Sequence, residues 1–256
     1  MKKTRQILKF AALTSACALL MAPPTLLAGA ATAHWSYEGE EGPEHWGELS
    51  DDYKMCSEGA NQSPIDLVAD VHTDLPELQF EYYSTSINEI NNGHSIQQNI
   101  QPGSFLRIPE RDLVAELKQF HFHSPSEHTI NGESFAMEIH FVHTSEEGAI
   151  TVVGVMIKEG EEHPVLNKMW SFMPENAGDT SVEPIGIEET DLLPDTREYY
   201  AYGGSLTTPP CSEGVKWIVL KTQVEVSAEQ IAVFKQRVGQ VTNRPVQPHN
   251  ARLIVD

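Results

Sequence analysis

What most constrains this chain is a succession of short, β-favouring runs, each closed by a turn signal. The clearest are Leu78–Tyr83, Ser95–Ile100, Leu113–His123, Ser134–His143, Ala149–Lys158 and Val215–Val224. Asn91-Asn92-Gly93, Pro102-Gly103, Asn131-Gly132 and Glu146-Glu147-Gly148 punctuate them. Asn131-Gly132 is a hairpin signal between two of the runs. Helix signals are few. Ser227-Ala228-Glu229-Gln230 matches a capping box, with Ile231, Phe234 and Val238 as an apolar stripe behind it. Pro164–Phe172 reads as a second, shorter helix. No internal repeat, low-complexity tract or interdomain linker interrupts the pattern. The expectation is one mostly-β (α+β) domain over residues 34–256. Its core should be a large sheet, chiefly antiparallel because the links between strands are short.

Residues 1–33 differ in kind. Lys2, Lys3, Arg5 and Lys9 give a basic start, and no acid occurs before Glu38. An apolar run from Phe10 to Leu27 follows, broken by Pro23 and Pro24, and Ala31-Thr32-Ala33 supplies an A-x-A cleavage signal. This is read as a secretory signal peptide rather than a membrane anchor, and it places the protein in the periplasm or outside the cell. Its removal takes four of the 17 basic residues and none of the 37 acidic ones. The mature chain is therefore strongly acidic, which disfavours nucleic acid and anionic membranes as partners. Only Cys56 and Cys211 remain after cleavage. Two cysteines in an exported chain read as one disulfide, with two free thiols as the other reading.

The chemistry concentrates around three histidines. Gln119-Phe120-His121-Phe122-His123 alternates with a period of two, so His121 and His123 share one strand face and the phenylalanines the other. By the same parity Glu138, His140 and Val142 share a face of the next run. Set side by side, the two strands bring three imidazoles together, and three histidines with an open fourth position are what a catalytic zinc needs. Gln119 and Glu138 each precede a histidine by two residues on the same face, where they can support the second ring nitrogen. An H-x-H pair alone is more often an ordinary surface or core feature. Cupins also use H-x-H followed by a glutamate, and His121 to Glu127 imitates that pattern. Gly132, however, comes too early for the cupin glycine, and His140 with Glu138 would be left without a role.

Other segments decide between these readings. Gly204-Ser205-Leu206-Thr207-Thr208-Pro209-Pro210-Cys211 resembles the active-site loop of the alpha-class carbonic anhydrases. So do His34-Trp35-Ser36-Tyr37, Gly42-Pro43-Glu44-His45-Trp46, Asn61-Gln62-Ser63-Pro64-Ile65, Asn91-Asn92-Gly93-His94, Ser126-Glu127-His128-Thr129 and Arg244-Pro245-Val246-Gln247-Pro248. The matches run in family order from residue 34 nearly to the C-terminus, and the positions of Cys56 and Cys211 resemble those of bacterial and secreted members.

The resemblance implies a twisted, largely antiparallel sheet of about ten strands, a Cys56–Cys211 disulfide, and cis bonds at Ser63-Pro64 and Pro209-Pro210. It implies zinc on His121, His123 and His140, and reversible hydration of carbon dioxide to bicarbonate through a zinc-bound hydroxide. Thr207 and Glu127 would orient the attacking oxygen and His94 would be the proton shuttle. Val142, Val152, Leu206, Val215 and Trp217 would form the dry wall for carbon dioxide, with Thr208 and Tyr37 on the wet side. Ile96, Gln97 and Asn99 would line the cavity. Two other classes share parts of this pattern. A non-catalytic carbonic anhydrase-like binding module would lack one or more of the zinc histidines. A zinc hydrolase acting mainly on esters could use the same site. The sequence leaves a homodimer open.

Overall fold

The computed structural model describes residues 33–83, 85–182 and 189–256. Apart from Ala33, the expected leader lies outside the described residues. The strands are β1 (Asp66–Leu67), β2 (Gln79–Glu81), β3 (Ser86–Asn91), β4 (Ile96–Ile100), β5 (Phe105–Ile108) and β6 (Leu113–His123). They continue with β7 (Thr129–Ile130), β8 (Met137–Thr144), β9 (Ile150–Glu159), β10 (Thr180–Ser181), β11 (Tyr199–Ser205) and β12 (Glu213–Val226). The helices are short: α1 (Trp46–Leu49), α2 (Met55–Glu58), α3 (Pro164–Trp170) and α4 (Ala228–Val238). Among the described residues no helix is long and apolar enough to cross a membrane.

A ten-stranded sheet forms in the order β10-β3-β4-β6-β8-β9-β12-β11, with β5 also paired to β6 and β2 to β5. This is the mostly-β, ten-strand sheet that was expected. Its pairs are antiparallel except β9 with β12, which run parallel. The short-link argument fails there because residues 160–212 carry the chain through α3, β10 and β11 before β12 begins. The β1–β7 pair is separate and parallel.

Alternation sorts the side chains onto two faces. Phe120 and Phe122 of β6, Ile139 and Phe141 of β8, Val153 and Val155 of β9, and Ile218 and Leu220 of β12 lie in the larger core cluster. The register of β6 against β8 slips between Leu117 and Gln119. An extra residue in one strand shifts parity, which lets Leu117 join Phe120 and Phe122 on the core face. The opposite faces of β9 and β12 give Val152, Met156, Val215, Trp217 and Val219 to a smaller cluster. The histidines stand on that second side.

Asn131 and Gly132, at φ 51° and 80°, make a two-residue turn that joins Ile130 to Glu133 by paired backbone hydrogen bonds of 3.0 Å. This tight hairpin sits inside the link between β6 and β8 and does not itself join those strands. Helix α4 keeps its predicted capping box: Ser227 Oγ accepts from Gln230 N and Gln230 Oε1 accepts from Ser227 N, both at 3.2 Å. The Ser63-Pro64, Ser124-Pro125 and Pro209-Pro210 bonds are cis. Cys56 and Cys211, 155 residues apart in sequence, form a disulfide.

Candidate metal centre

Antiparallel pairing sets His121 of β6 directly opposite His140 of β8. His123 follows two residues along the same face. The ring centroids lie 4.9 Å apart for His121–His123, 5.3 Å for His121–His140 and 4.6 Å for His123–His140. One ligand atom from each of the three lies within 4.8 Å of the others.

Each ring is held through its other nitrogen. His121 Nδ1 bonds Gln119 Oε1 at 2.8 Å, and His140 Nε2 bonds Glu138 Oε1 at 2.9 Å. These are the two supports expected from the i−2 spacing. His123 Nδ1 instead bonds the backbone carbonyl of Thr242 at 2.5 Å. That leaves His121 Nε2, His123 Nε2 and His140 Nδ1 for a ligand. His123 Nε2 is buried with no hydrogen-bond partner. Burial holds all three imidazoles below the usual histidine range, His121 well below it and His123 down to about 4. A neutral imidazole is the form that binds a metal.

Glu138 anchors more than His140. Its Oε2 accepts from the backbone N–H groups of Glu127 and His128, both at 2.9 Å, and its Oε1 also bonds His128 Nδ1 at 2.8 Å. Burial alone would raise this carboxyl, but the charges and hydrogen bonds of His128 and His140 hold it well below the ordinary carboxylate range. Gly154 lies opposite His140 on β9, and a Cβ there would come within 2.9 Å of Glu138 Oε1. His128, Glu138 and His140 also cluster closely enough to hold a cation. Their facing atoms already bond one another, so this trio supports the site and does not compete with it.

Glu127 faces the open side of the triad. Arg244 N donates to its Oε1 at 2.9 Å, while Oε2 lies 3.5 Å from His123 Nε2 and 3.8 Å from His140 Nδ1. Oε2 is buried without a hydrogen-bond partner. Burial pushes this carboxyl up to about 7, against the pull of His140, Arg244 N–H and the nearby Thr207 hydroxyl. Partnerless nitrogen and carboxylate oxygen facing one buried space is the condition a cation relieves. Three nitrogens and no thiolate suit a borderline-soft dication such as zinc.

The loop carrying Leu206, Thr207 and Thr208 is pinned from several sides. The disulfide holds Cys211, whose carbonyl also accepts from Gln62 Nε2 at 3.0 Å. Ser63 N donates to Ser205 Oγ at 2.8 Å, and Ser205 N to Ser63 Oγ at 3.1 Å. Trp217 Nε1 donates to Ser205 O at 2.9 Å. Gly204 permits this approach, since a Cβ there would meet Ser63 Oγ at 2.2 Å. Thr207 is buried and Thr208 partly exposed. Val152, Val215 and Trp217 are buried in the smaller apolar cluster, with Val142 and Leu206 packed against it. The Trp217 ring lies 4.8 Å from that of His140.

His94 sits in an Asn-anchored turn after β3, where Asn92 Oδ1 accepts from His94 N at 2.9 Å and Ser95 N at 2.7 Å. Its ring is half-buried rather than standing free in solvent, and burial lowers its basicity. Tyr37 Oη is buried without a partner, and burial followed by the Glu127 charge drives its pKa well up.

Some supporting residues had no assigned role in the sequence reading. His128 Nε2 bonds Tyr202 Oη at 2.6 Å, which meets Ser63 Oγ at 2.9 Å. Arg244 is buried, and its guanidinium donates to Gln62 Oε1, Ser63 O and Cys56 O at 2.8–2.9 Å. Both His128 and Arg244 stand inside family-like motifs, Ser126-Glu127-His128-Thr129 and Arg244-Pro245-Val246-Gln247-Pro248, and that is the signal the sequence carries for them. Thr242 acts through its carbonyl, which no residue type advertises.

Residues 41–256 match the model of the eukaryotic-type carbonic anhydrase family. A carbonic anhydrase of Klebsiella pneumoniae is 45% identical over 239 residues, covering 93% of this chain and 96% of its own. One of Nostoc sp. is 43% identical over 258 residues, covering 98% and 97%. The solved alpha-carbonic anhydrase of Thermovibrio ammonificans, in complex with the inhibitor sulfanilamide, superposes with a TM-score of 0.85 at 47% identity, covering 88% of this chain and all of that one. With this sheet, this histidine triad and these relatives, the chain belongs to the alpha-class carbonic anhydrase family.

Proposed function

We propose that this protein catalyses the reversible hydration of carbon dioxide to bicarbonate and a proton, with zinc held by His121, His123 and His140. The observation that carries the reading is the convergence of three neutral, individually supported imidazoles on one buried space beside Glu127. Bound there, zinc would supply a Lewis acid that brings the pKa of water to about 7, carbonic anhydrase being the reference case for that value, and positive charge that holds Glu127 ionised.

The chain's own residues do the rest. Gln119, Glu138 and the Thr242 carbonyl keep the three rings aimed. An ionised carboxylate only accepts hydrogen bonds, so Thr207 donates to Glu127 and keeps a lone pair for the attacking oxygen's proton. That directs the oxygen's own lone pair at the substrate. Carbon dioxide is apolar, and Val142, Val152, Leu206, Val215 and Trp217 offer it a dry wall, with Thr208 on the polar side. His94 accepts the released proton and hands it towards buffer.

Residues 1–33 act in this reading as a cleaved leader that exports the enzyme to the periplasm or beyond. The Cys56–Cys211 pair fits an oxidising compartment. A non-catalytic binding module is disfavoured because the histidine triad, Glu127 and Thr207 are all in place. Activated esters could be cleaved at the same site as a side reaction.

Metal content and carbon dioxide hydration, measured before and after chelation, test the assignment. About one zinc per chain is expected. Activity should vanish with the metal and return with it, and His121→Ala should lose most of the zinc. Full zinc in that variant, or hydration indifferent to chelation, would refute it.

A further inference from the structure

The segment that follows α4 holds three working parts of the site at once. Gly239 ends the helix in a left-handed conformation, φ 77°, with its N–H donating to Lys235 O at 2.9 Å. From there every second residue grips a different element. Arg244 N holds the Glu127 carboxylate, and the Thr242 carbonyl holds His123. Thr242 also grips the residue after that histidine: Thr242 N donates to Ser124 O at 3.0 Å, and Ser124 N to Thr242 Oγ1 at 2.9 Å. Gln240, the first of the three, reaches the turn that carries His94, where its Nε2 donates to Gly93 O at 3.0 Å.

That carbonyl and His94 N belong to one peptide unit, and a peptide unit is planar. Asn92 Oδ1 accepts from the N–H edge of the unit, a contact local to the turn. Gln240, 147 residues away in sequence, takes the carbonyl edge. The preceding residues are anchored separately. Gly93, at φ 83°, donates its N–H to Asn91 Oδ1 at 3.0 Å. Asn91 O accepts from Gly178 N at 2.7 Å, and Asn91 N donates to Asp179 O at 3.1 Å. On the outer side the His94 ring stacks on Trp35, with centroids 3.6 Å apart and planes at 11°.

We propose that Gln240 is a positioning residue for proton transfer: by holding the Gly93 carbonyl it fixes the peptide plane from which His94 projects, and so ties the shuttle to the segment that also holds His123 and Glu127. The proposal rests on the reading of His94 as the shuttle. Gln240 hydrogen-bonds neither the histidine triad nor Glu127, and acts only through the turn. Without its bond the Gly93–His94 unit keeps the Asn92 contact alone at one edge and can rock about it. A glycine at 93 has no Cβ to resist that motion. The His94 ring then spends less time where it can accept the released proton. Proton transfer slows, while capture of carbon dioxide, which depends on the triad, Glu127, Thr207 and the apolar wall, does not.

The test is steady-state carbon dioxide hydration by the zinc-loaded, exported protein, in weak buffer and in concentrated imidazole. Gln240→Leu keeps a side chain of similar bulk and removes the donor. It should lower kcat about two- to fivefold in weak buffer, leave kcat/KM unchanged, and recover in imidazole, which takes the proton directly. Zinc release to a chelator should match the parent, because Thr242 and Arg244 keep their own bonds. Added to His94→Ala, the change should have no further effect, since the residue it positions is gone. Parent kcat in weak buffer, a parallel fall in kcat/KM, faster zinc release, or a further loss in the double variant would overturn the assignment. If the parent hydrates no carbon dioxide, or if His94→Ala is silent, the earlier readings fail instead.

Discussion

Replacing Glu89 with glutamine removes an ionisable group from a place where ionisation is strongly opposed. Glu89 lies on β3, paired in register with Gln98 of β4 on one side and Ser181 of β10 on the other. Glu89 is 1% exposed and Gln98 is fully buried, and neither side chain's polar atoms have well-aligned partners. Burial pushes the Glu89 carboxyl from 4.5 up to about 8, although Gln98 and the charge of Arg237 pull it back. Arg237, on α4, is itself drawn 3.9 Å from Glu175 at the surface. The folded protein therefore keeps a proton that the unfolded chain releases between pH 4.5 and about 8. Stability must fall as pH rises through that window and level off above it. At about 1.36 kcal/mol per pH unit, the whole window corresponds to about 5 kcal/mol. Glutamine has nearly the shape of the protonated acid and never ionises. Urea or thermal unfolding of parent and Glu89→Gln, both zinc-loaded, should agree closely at pH 5. At pH 9 the variant should be more stable, by about 10 °C or more in Tm for a domain of this size. Taking the difference cancels the other groups that titrate in the same range. Parallel pH–stability curves for the two proteins would refute the reasoning.

His94→Ala should lower kcat about tenfold in weak buffer and leave kcat/KM nearly unchanged, with imidazole restoring part of the loss. If both parameters fall together, His94 is not the shuttle. Gly154→Ala should press on the pinned Glu138 carboxylate, loosen its hold on His140 and weaken zinc retention several-fold, at a stability cost of about 1–3 kcal/mol. Zinc release in competition with a chelator measures this, and unchanged release would show that Glu138 has room to move.

By itself the sequence determined what depends on neighbours along the chain. The period of two marked β6 at Leu113–His123, the bounds the strand has. It also put Gln119 beside His121 and Glu138 beside His140, because residues two apart on a strand share a face. The α4 capping box was legible for the same reason, since its donors and acceptors lie three residues apart. The ordered motifs identified the family. Tertiary structure decided what depends on the order of strands. The parallel β9–β12 pair, the Thr242 carbonyl behind His123 and the His128–Tyr202–Ser63 chain each join segments far apart in sequence. The burial of Glu89 against Gln98 depends on which strands lie beside β3. Nothing in local periodicity encodes such neighbours, and a backbone carbonyl carries no residue signature. The turn that brings Glu41 back to His34, next to the tryptophan that stacks on His94, likewise becomes visible only once the chain has folded around the site.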